Sequence, residues 1–227
     1  MKSQSPAQSA PTNALCKTRK ISKIEEYKME APVTYIQNQV NDAEEAFELI
    51  WNGLPWEQRK DAPRRECWFN PYEQAYTYGS GEYARTYEAH SFEENHASRL
   101  IKDIMDDINN QHGSSYDCCF VNGYEHGRQH LGWHADDSPE MDQDHPIATV
   151  SLGAEREIWF RQRIEWKESL NRLAAPKWGV TEVLKLGHGS AAIMHGGMQR
   201  SWQHRIPKSS DTHCGARISL TYRKLVR

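Results

Sequence analysis

No apolar run in this 227-residue sequence approaches the length of a membrane span, and its polar N-terminus carries no apolar signal region. A disulfide framework is missing too. The five cysteines (Cys16, Cys67, Cys118, Cys119 and Cys214) are odd in number and include no C-x-x-C pair. Cys118 and Cys119 are adjacent, where a mutual bridge is strained. Such usage belongs to a reducing compartment, so a cytoplasmic or nuclear location is expected, with no membrane partner. Positive charge is not in excess either. A formal net charge of −3 argues against binding nucleic acid by bulk charge and leaves only a local basic patch. No internal repeat is found.

The composition, 37% hydrophobic and 26% charged, fits one sizeable domain or at most two small ones. Residues 1–30, rich in Ser, Gln, Ala, Pro and Lys, read as a mobile tail, and residues 31–227 as a single domain. Val33-Thr34-Tyr35-Ile36 is β-rich. Asn41 or Asp42 is placed to cap a helix over 43–51, stopped by Asn52-Gly53 and Pro55. A second helix is expected over 91–110, with Ser91 and Glu94 as a capping box and Gln111-His112-Gly113 as its stop. Short strands follow at 118–122, 147–152, 156–161, 181–186, 190–194 and 217–222, with 165–174 as a solvent-exposed helix or excursion. Two helices and then many short strands indicate an α+β fold with a β-sandwich or jelly-roll core.

Chemistry concentrates in residues 122–137, around His134-Ala135-Asp136. In an extended strand, side chains at i and i+2 share a face, so an imidazole and a carboxylate converge as two metal ligands must. A third His would complete a 2-His-1-carboxylate facial triad, suited to non-haem Fe(II). His204 is the best placed, and His188 and His195 are rivals near glycine turns. A bare H-x-D is a weak signal. The C-terminal strand strengthens it, because Arg217, Ser219, Thr221 and Arg223 alternate with Ile218, Leu220 and Tyr222. Two Arg on one strand face are costly if buried alone, and a dicarboxylate co-substrate would pair with them. The other reading of this strand is a solvent-exposed polar face.

Taken in order, Asn122-Gly123-Tyr124, His134-Ala135-Asp136, Ser151-Leu152-Gly153, Trp202-Gln203-His204-Arg205 and residues 217–223 resemble the AlkB family of Fe(II)- and 2-oxoglutarate-dependent dioxygenases. The resemblance covers roughly residues 63–223. It implies a double-stranded β-helix (jelly-roll) core, N-terminal helices packed on one sheet, and a nucleotide-recognition lid over about 63–88. It implies iron on His134, Asp136 and His204, with O2 as the other co-substrate. Asn122, Tyr124, Arg217 and Arg223 would hold 2-oxoglutarate, Arg217 on its distal carboxylate and Arg223 nearer the metal. The family commonly has Asn where this chain has Ser219.

On the substrate side, Arg64, Arg65 and the tyrosines of residues 72–87 mix cations with rings, as a base-binding surface would, or as a tyrosine-rich hairpin packed on a sheet would. The resemblance implies that Tyr78 and His134 sandwich a flipped base, that Tyr76 and Asp137 supply polar contacts, and that Arg65 and Arg161 line the mouth. The implied reaction is oxidative demethylation of an N-alkylated nucleobase in DNA, releasing formaldehyde, by a monomer. Alternatives are the same chemistry on RNA or a protein side chain, a non-catalytic nucleic-acid-binding jelly roll, and a zinc hydrolase, which lacks an obvious general base.

Overall fold

The chain's last strand, β13 (Arg217–Arg223), is buried on both faces. Successive side chains of a strand point to opposite sides, so β13 needs a cover on each. The computed structural model describes residues 23–25, 29–60, 62–79, 84–164 and 177–227, and it shows both covers. β13 lies inside a seven-stranded sheet. The order is β1 (Lys23–Glu25), β2 (Val33–Gln37), β11 (Ser190–Met194), β8 (Ile147–Gly153), β13, β6 (Cys118–Tyr124) and β3 (Arg65–Phe69). Four strands form a second sheet, ordered β10 (Lys177–Leu186), β9 (Arg156–Ile164), β12 (Trp202–Ile206) and β7 (Leu131–His134). All pairings within both sheets are antiparallel.

Tyr35, Tyr124, Ala192 and Met194 of the large sheet pack against Ile158, Phe160, Leu184, Leu186, Trp202 and Ile206 of the small one. On its other face, Val121, Val150, Leu152, Ile218, Leu220 and Tyr222 join Ile50 of α1 (Ala43–Gly53) and Ile101, Ile104 and Ile108 of α2 (His96–His112). The apolar stripe of α2 recurs at three- and four-residue spacing, one face of a 3.6-residue helix. Two antiparallel sheets closed over one core are the jelly-roll arrangement. The tight corner after β8 requires Gly153 (φ 87°), where a Cβ would lie 2.4 Å from the Ala216 carbonyl oxygen.

The helix starts differ from expectation. Asp42 precedes α1 in the left-handed region (φ 51°) and makes no side-chain cap bond, because the chain turns sharply there out of β2. Ser91 and Glu94 make only half of the expected box: the Glu94 carboxylate accepts the Ser91 N–H at 2.8 Å, while Ser91 Oγ accepts from the Glu93 N–H at 3.1 Å, and the pair closes a separate turn. α2 begins at His96, after an extended Asn95 whose Oδ1 accepts the Ser98 N–H at 3.0 Å. Asn95→Ala is therefore expected to cost about 1 kcal/mol; an unshifted urea midpoint would show that the cap contributes nothing.

β3 and β12 were not among the expected strands, and the extended segment expected through His134 and Asp136 is β7, which stops at His134. β1 lies within the segment read as a tail and pairs with β2, and Met29 of that segment packs against the core, so these parts are not a mobile tail; residues 1–22 and 26–28 lie outside the described residues. So does the excursion expected over 165–174. Cys67, Cys118, Cys119 and Cys214 are free thiols. Among the described residues no helix is long and apolar enough to cross a membrane.

Candidate metal and co-substrate site

β7 and β12 place His134 opposite His204 as register partners, with ring centroids 4.2 Å apart. β7 ends at His134, so Asp136 lies just beyond the strand and not on it, as the i, i+2 argument supposed. Backbone bonds turn its side chain inward instead. The Asp136 N–H donates to Gln199 Oε1 at 3.0 Å, and its carbonyl accepts from Gln143 Nε2 at 3.2 Å. His134 Nδ1 lies 2.9 Å from the Gly132 carbonyl oxygen. A carbonyl only accepts, so Nδ1 carries the proton and Nε2 keeps a free lone pair. That Nε2 is 3.8 Å from Asp136 Oδ1, and His204 Nε2 is 3.7 Å from Oδ2. One ligand atom from each of the three residues falls within 4.8 Å of the others. His188 and His195 lie elsewhere, beside Glu44 and Thr34 respectively.

Electrostatics suit a cation. Burial pushes His204 down to about 3 and also lowers His134, so both imidazoles are neutral at physiological pH, as ligands must be. Burial alone would raise Asp136, but the Arg223 guanidinium holds it below the usual carboxylate range. Arg223 Nη2 donates to Asp136 Oδ1 at 2.6 Å. The Arg223 guanidinium, lowered by burial, is raised overall by Asp136, and its Nε has no partner. The donor set, two neutral nitrogens and a carboxylate, fits a divalent iron.

Beyond the metal-ligand cluster, Arg217 is fully buried. Its Nε donates to Ser151 Oγ at 2.8 Å, its Nη2 reaches Ser219 Oγ at 3.5 Å, and its Nη1 has no partner. Among the described residues no carboxylate pairs with it. The polar face of β13 is therefore interior, not solvent-exposed. Burial pulls Arg217 down to about 10, which leaves it protonated at neutral pH. The Tyr124 ring lies 5.3 Å from its guanidinium carbon. An orphaned buried donor on a charged group is a site for a carboxylate ligand, so the chain fits a dicarboxylate at this point.

The remaining sequence-predicted residues divide. Asn122 is buried in the pocket, accepting from Arg64 Nε at 2.6 Å. Tyr78 also lines this pocket, with Arg64, Asn122, His134, Asp136 and Arg223. Its ring meets His134 edge-on, centroids 6.2 Å apart at 75°, not as a parallel pair. Tyr76 is buried, its hydroxyl 3.0 Å from Ser138 Oγ and 3.4 Å from Arg223 Nη1. Tyr76 and Tyr87 pack with Trp68 and Phe120, so much of the tyrosine content is hairpin packing. Asp137 is exposed beside a separate cavity. Arg161 lies on the small sheet's outer face, donating to Gln203. Arg65 is not brought to the pocket; it pairs with Glu125 and lies over Trp51.

Arg64 takes the inward place instead, bridging Asn122 and Glu66, the latter at 2.6 Å. Sequence reasoning also passed over Gln143 and Gln199, which hold the Asp136 backbone. The phase of β3 would have exposed Arg64 and Glu66 as one face, but that strand was not recognised.

A sequence profile described as the 2OG-Fe(II) oxygenase superfamily matches residues 7–223. Alpha-ketoglutarate-dependent dioxygenase alkB homolog 3 from Bos taurus is 27% identical over 198 residues, 81% of this chain and 62% of that protein. The DNA oxidative demethylase ALKBH2 of Homo sapiens is 29% identical over 150 residues, 66% of this chain and 55% of that protein. The chain thus spans less than two thirds of the length of these relatives. In structure it is similar to OsALKBH1, with a TM-score of 0.50 at 15% identity, covering 89% of this chain and all of that one; this likeness bears on the fold alone. The chain belongs to the 2OG-Fe(II) oxygenase superfamily, as a member of its AlkB family.

Proposed function

We propose that this protein is an Fe(II)- and 2-oxoglutarate-dependent dioxygenase that demethylates N-methylated nucleobases in DNA, reversing alkylation damage. The observation that carries the reading is Arg217, a fully buried cation with an orphaned donor, on the same face of β13 as Arg223, which holds Asp136 of the three-residue cluster. A purely structural metal has no use for such a group. Iron held by His134, Asp136 and His204 would supply, with 2-oxoglutarate and O2, the oxidising power to hydroxylate an N-methyl group, which would leave as formaldehyde.

The chain's own residues do the positioning. Arg217 pairs with the distal carboxylate, while Asn122 and Tyr124 flank the co-substrate. Arg223 holds the Asp136 carboxylate in its ionised, ligating form. Of the range 63–88 expected as a lid, β3 belongs to the large sheet; the paired strands β4 (Tyr76–Tyr78) and β5 (Arg85–Tyr87) would act as the lid over the metal-ligand cluster. A base must leave its stack to reach the iron, at a cost of a few kcal/mol that is smallest for a lesion unable to pair. Methylation at N1 of adenine or N3 of cytosine makes such a lesion. Tyr78 turns from its edge-on position to stack on the flipped base against His134; Asp137, on the separate cavity, is not part of this base site.

Two measurements test this. Anaerobic Fe(II) with 2-oxoglutarate should give a weak visible charge-transfer band, and a methylated oligodeoxynucleotide with O2 should give formaldehyde. Absence of the band would refute the dioxygenase assignment; a band with turnover only on RNA or peptide would refute the DNA substrate. Tyr78→Ala should lower kcat/KM for the oligonucleotide about tenfold or more, one base stack being worth about 1–3 kcal/mol, and spare succinate formation. Unchanged demethylation in that variant would remove Tyr78 from the base site.

A further inference from the structure

The small sheet turns one face to the core and the other outward. Residues paired directly across an antiparallel ladder point to the same side. Arg161 pairs with Gln203 and Trp159 with Arg205, alternating with the inward Phe160 and His204, so these four project outward. Trp133 joins them from β7, and Trp178 from β10, opposite Arg163. Rings and cations interleave. Arg161 lies 3.6 Å from the Trp178 ring centroid and 4.3 Å from that of Trp133. Arg205 lies 4.8 Å from Trp133 and 4.2 Å from Trp159. The row runs Trp178, Arg161, Trp133, Arg205, Trp159.

Its charge is not balanced among the described residues. Among the described residues neither cation pairs with a carboxylate: Arg161 donates only to Gln203 Oε1, at 2.6 and 3.1 Å, and Arg205 Nε has no partner. Glu157 accepts from Trp159 Nε1 at the far end and meets neither guanidinium. Burial and the neighbouring Arg205 both hold Arg161 below its ordinary value, a repulsion that a bound polyanion would relieve. An indole face also fixes each guanidinium flat, so less side-chain entropy is lost when its rim of N–H groups binds phosphate. At the other end, Trp178 and Gln203 line a cavity of about 590 Å³ that extends to Asp137, next to the metal-ligating Asp136. The row starts where that cavity ends.

We propose that this row is a track for the single-stranded nucleic acid flanking the reacting base, with backbone phosphates on Arg161 and Arg205 and a flanking base stacked on Trp178. The strand is single because stacking on a ring needs unpaired bases. The proposal rests on the nucleic-acid reading above and concerns only the flanking strand.

The test uses the full chain and an unmethylated fluorescent oligothymidylate of about fifteen nucleotides. Binding is followed by anisotropy across a salt series. The double variant Arg161→Gln/Arg205→Gln should bind more weakly and flatten the slope of log K against log salt by about 0.7 per lost phosphate contact. Arg205→Lys, which keeps the charge, should retain most of the slope, and circular dichroism melts check that each variant is folded. In parallel, wild type should release formaldehyde faster from a long methylated oligonucleotide than from a methylated trinucleotide, and the double variant should lose that preference. Identical salt slopes in wild type and double variant would overturn the track. So would a wild type that demethylates the long oligonucleotide and the trinucleotide at equal rates, which would leave the row as a surface for a protein partner. Salt-dependent binding through Arg205 without formaldehyde from any methylated strand would sink the demethylase reading and leave the track standing.

Discussion

Replacing Arg217 by methionine should weaken 2-oxoglutarate binding by about two to four decades and leave the ligand-free chain at least as stable as wild type. The side chains are similar in length, so packing is roughly kept. The charge is what changes. Arg217 is fully buried, protonated at neutral pH, and paired with no carboxylate among the described residues. An uncompensated buried ion costs several kcal/mol even after relaxation. Ser151 loses one hydrogen bond in the variant, worth about 1 kcal/mol, which is the smaller of the two effects. Without the dicarboxylate, then, removing the cation does not destabilise. With it, two charge-assisted hydrogen bonds of about 1.5–3 kcal/mol each are lost, which gives the stated range at about 1.4 kcal/mol per decade. Calorimetric titration of 2-oxoglutarate and a thermal melt of the ligand-free protein measure the two halves separately. A variant that bound 2-oxoglutarate normally would show that Arg217 does not hold the co-substrate; a variant that unfolded would show that its cation is compensated in the fold.

Asp136→Ala should reduce turnover to background and also destabilise the metal-free protein, by about 3–5 kcal/mol. The two losses have different causes. One is the missing anionic ligand of the triad. The other is Arg223, buried with its strongest contact on Asp136 Oδ1, which is left facing an empty site. Asp136→Asn separates them, because an amide oxygen still accepts from Arg223 but binds iron poorly. It should melt closer to wild type and retain no iron. Metal content, formaldehyde release and metal-free melts of the two variants decide the matter. If Asp136→Ala kept bound iron and turnover, Asp136 would not be a ligand. If the two variants melted alike, the pair with Arg223 would not be a source of stability.

Much of the site was legible because its motifs obey short-range rules. The alternation of Arg217, Ser219, Thr221 and Arg223 is a period-two pattern, and the strand that carries it is the one found. His134 and Asp136 are two residues apart and do converge, although through Gln143 and Gln199 and not through a continued strand. β12 was missed for the reason it matters. Its inward positions are Trp202, His204 and Ile206, and a polar ligand in the apolar phase hides the strand from a hydrophobic reading. Missing β3 had a cost as well: Arg65 was taken for a pocket residue, whereas the alternation leading into the strand turns Arg64 there, paired with Glu66.

The sequence alone determined the ligand types and the strand carrying both cations, because local periodicity dictates which side chains share a face. It also determined the two-helix, many-strand order from which an α+β sandwich follows. Only the tertiary structure decided that His204, and neither His188 nor His195, completes the cluster, since that depends on β12 pairing with β7 across 70 residues of chain. Only it could show that the face of β13 bearing Arg217 is interior, because burial is a property of what packs above a strand. The same holds for the row from Trp178 to Trp159, whose members come from four strands and meet only once the small sheet has formed.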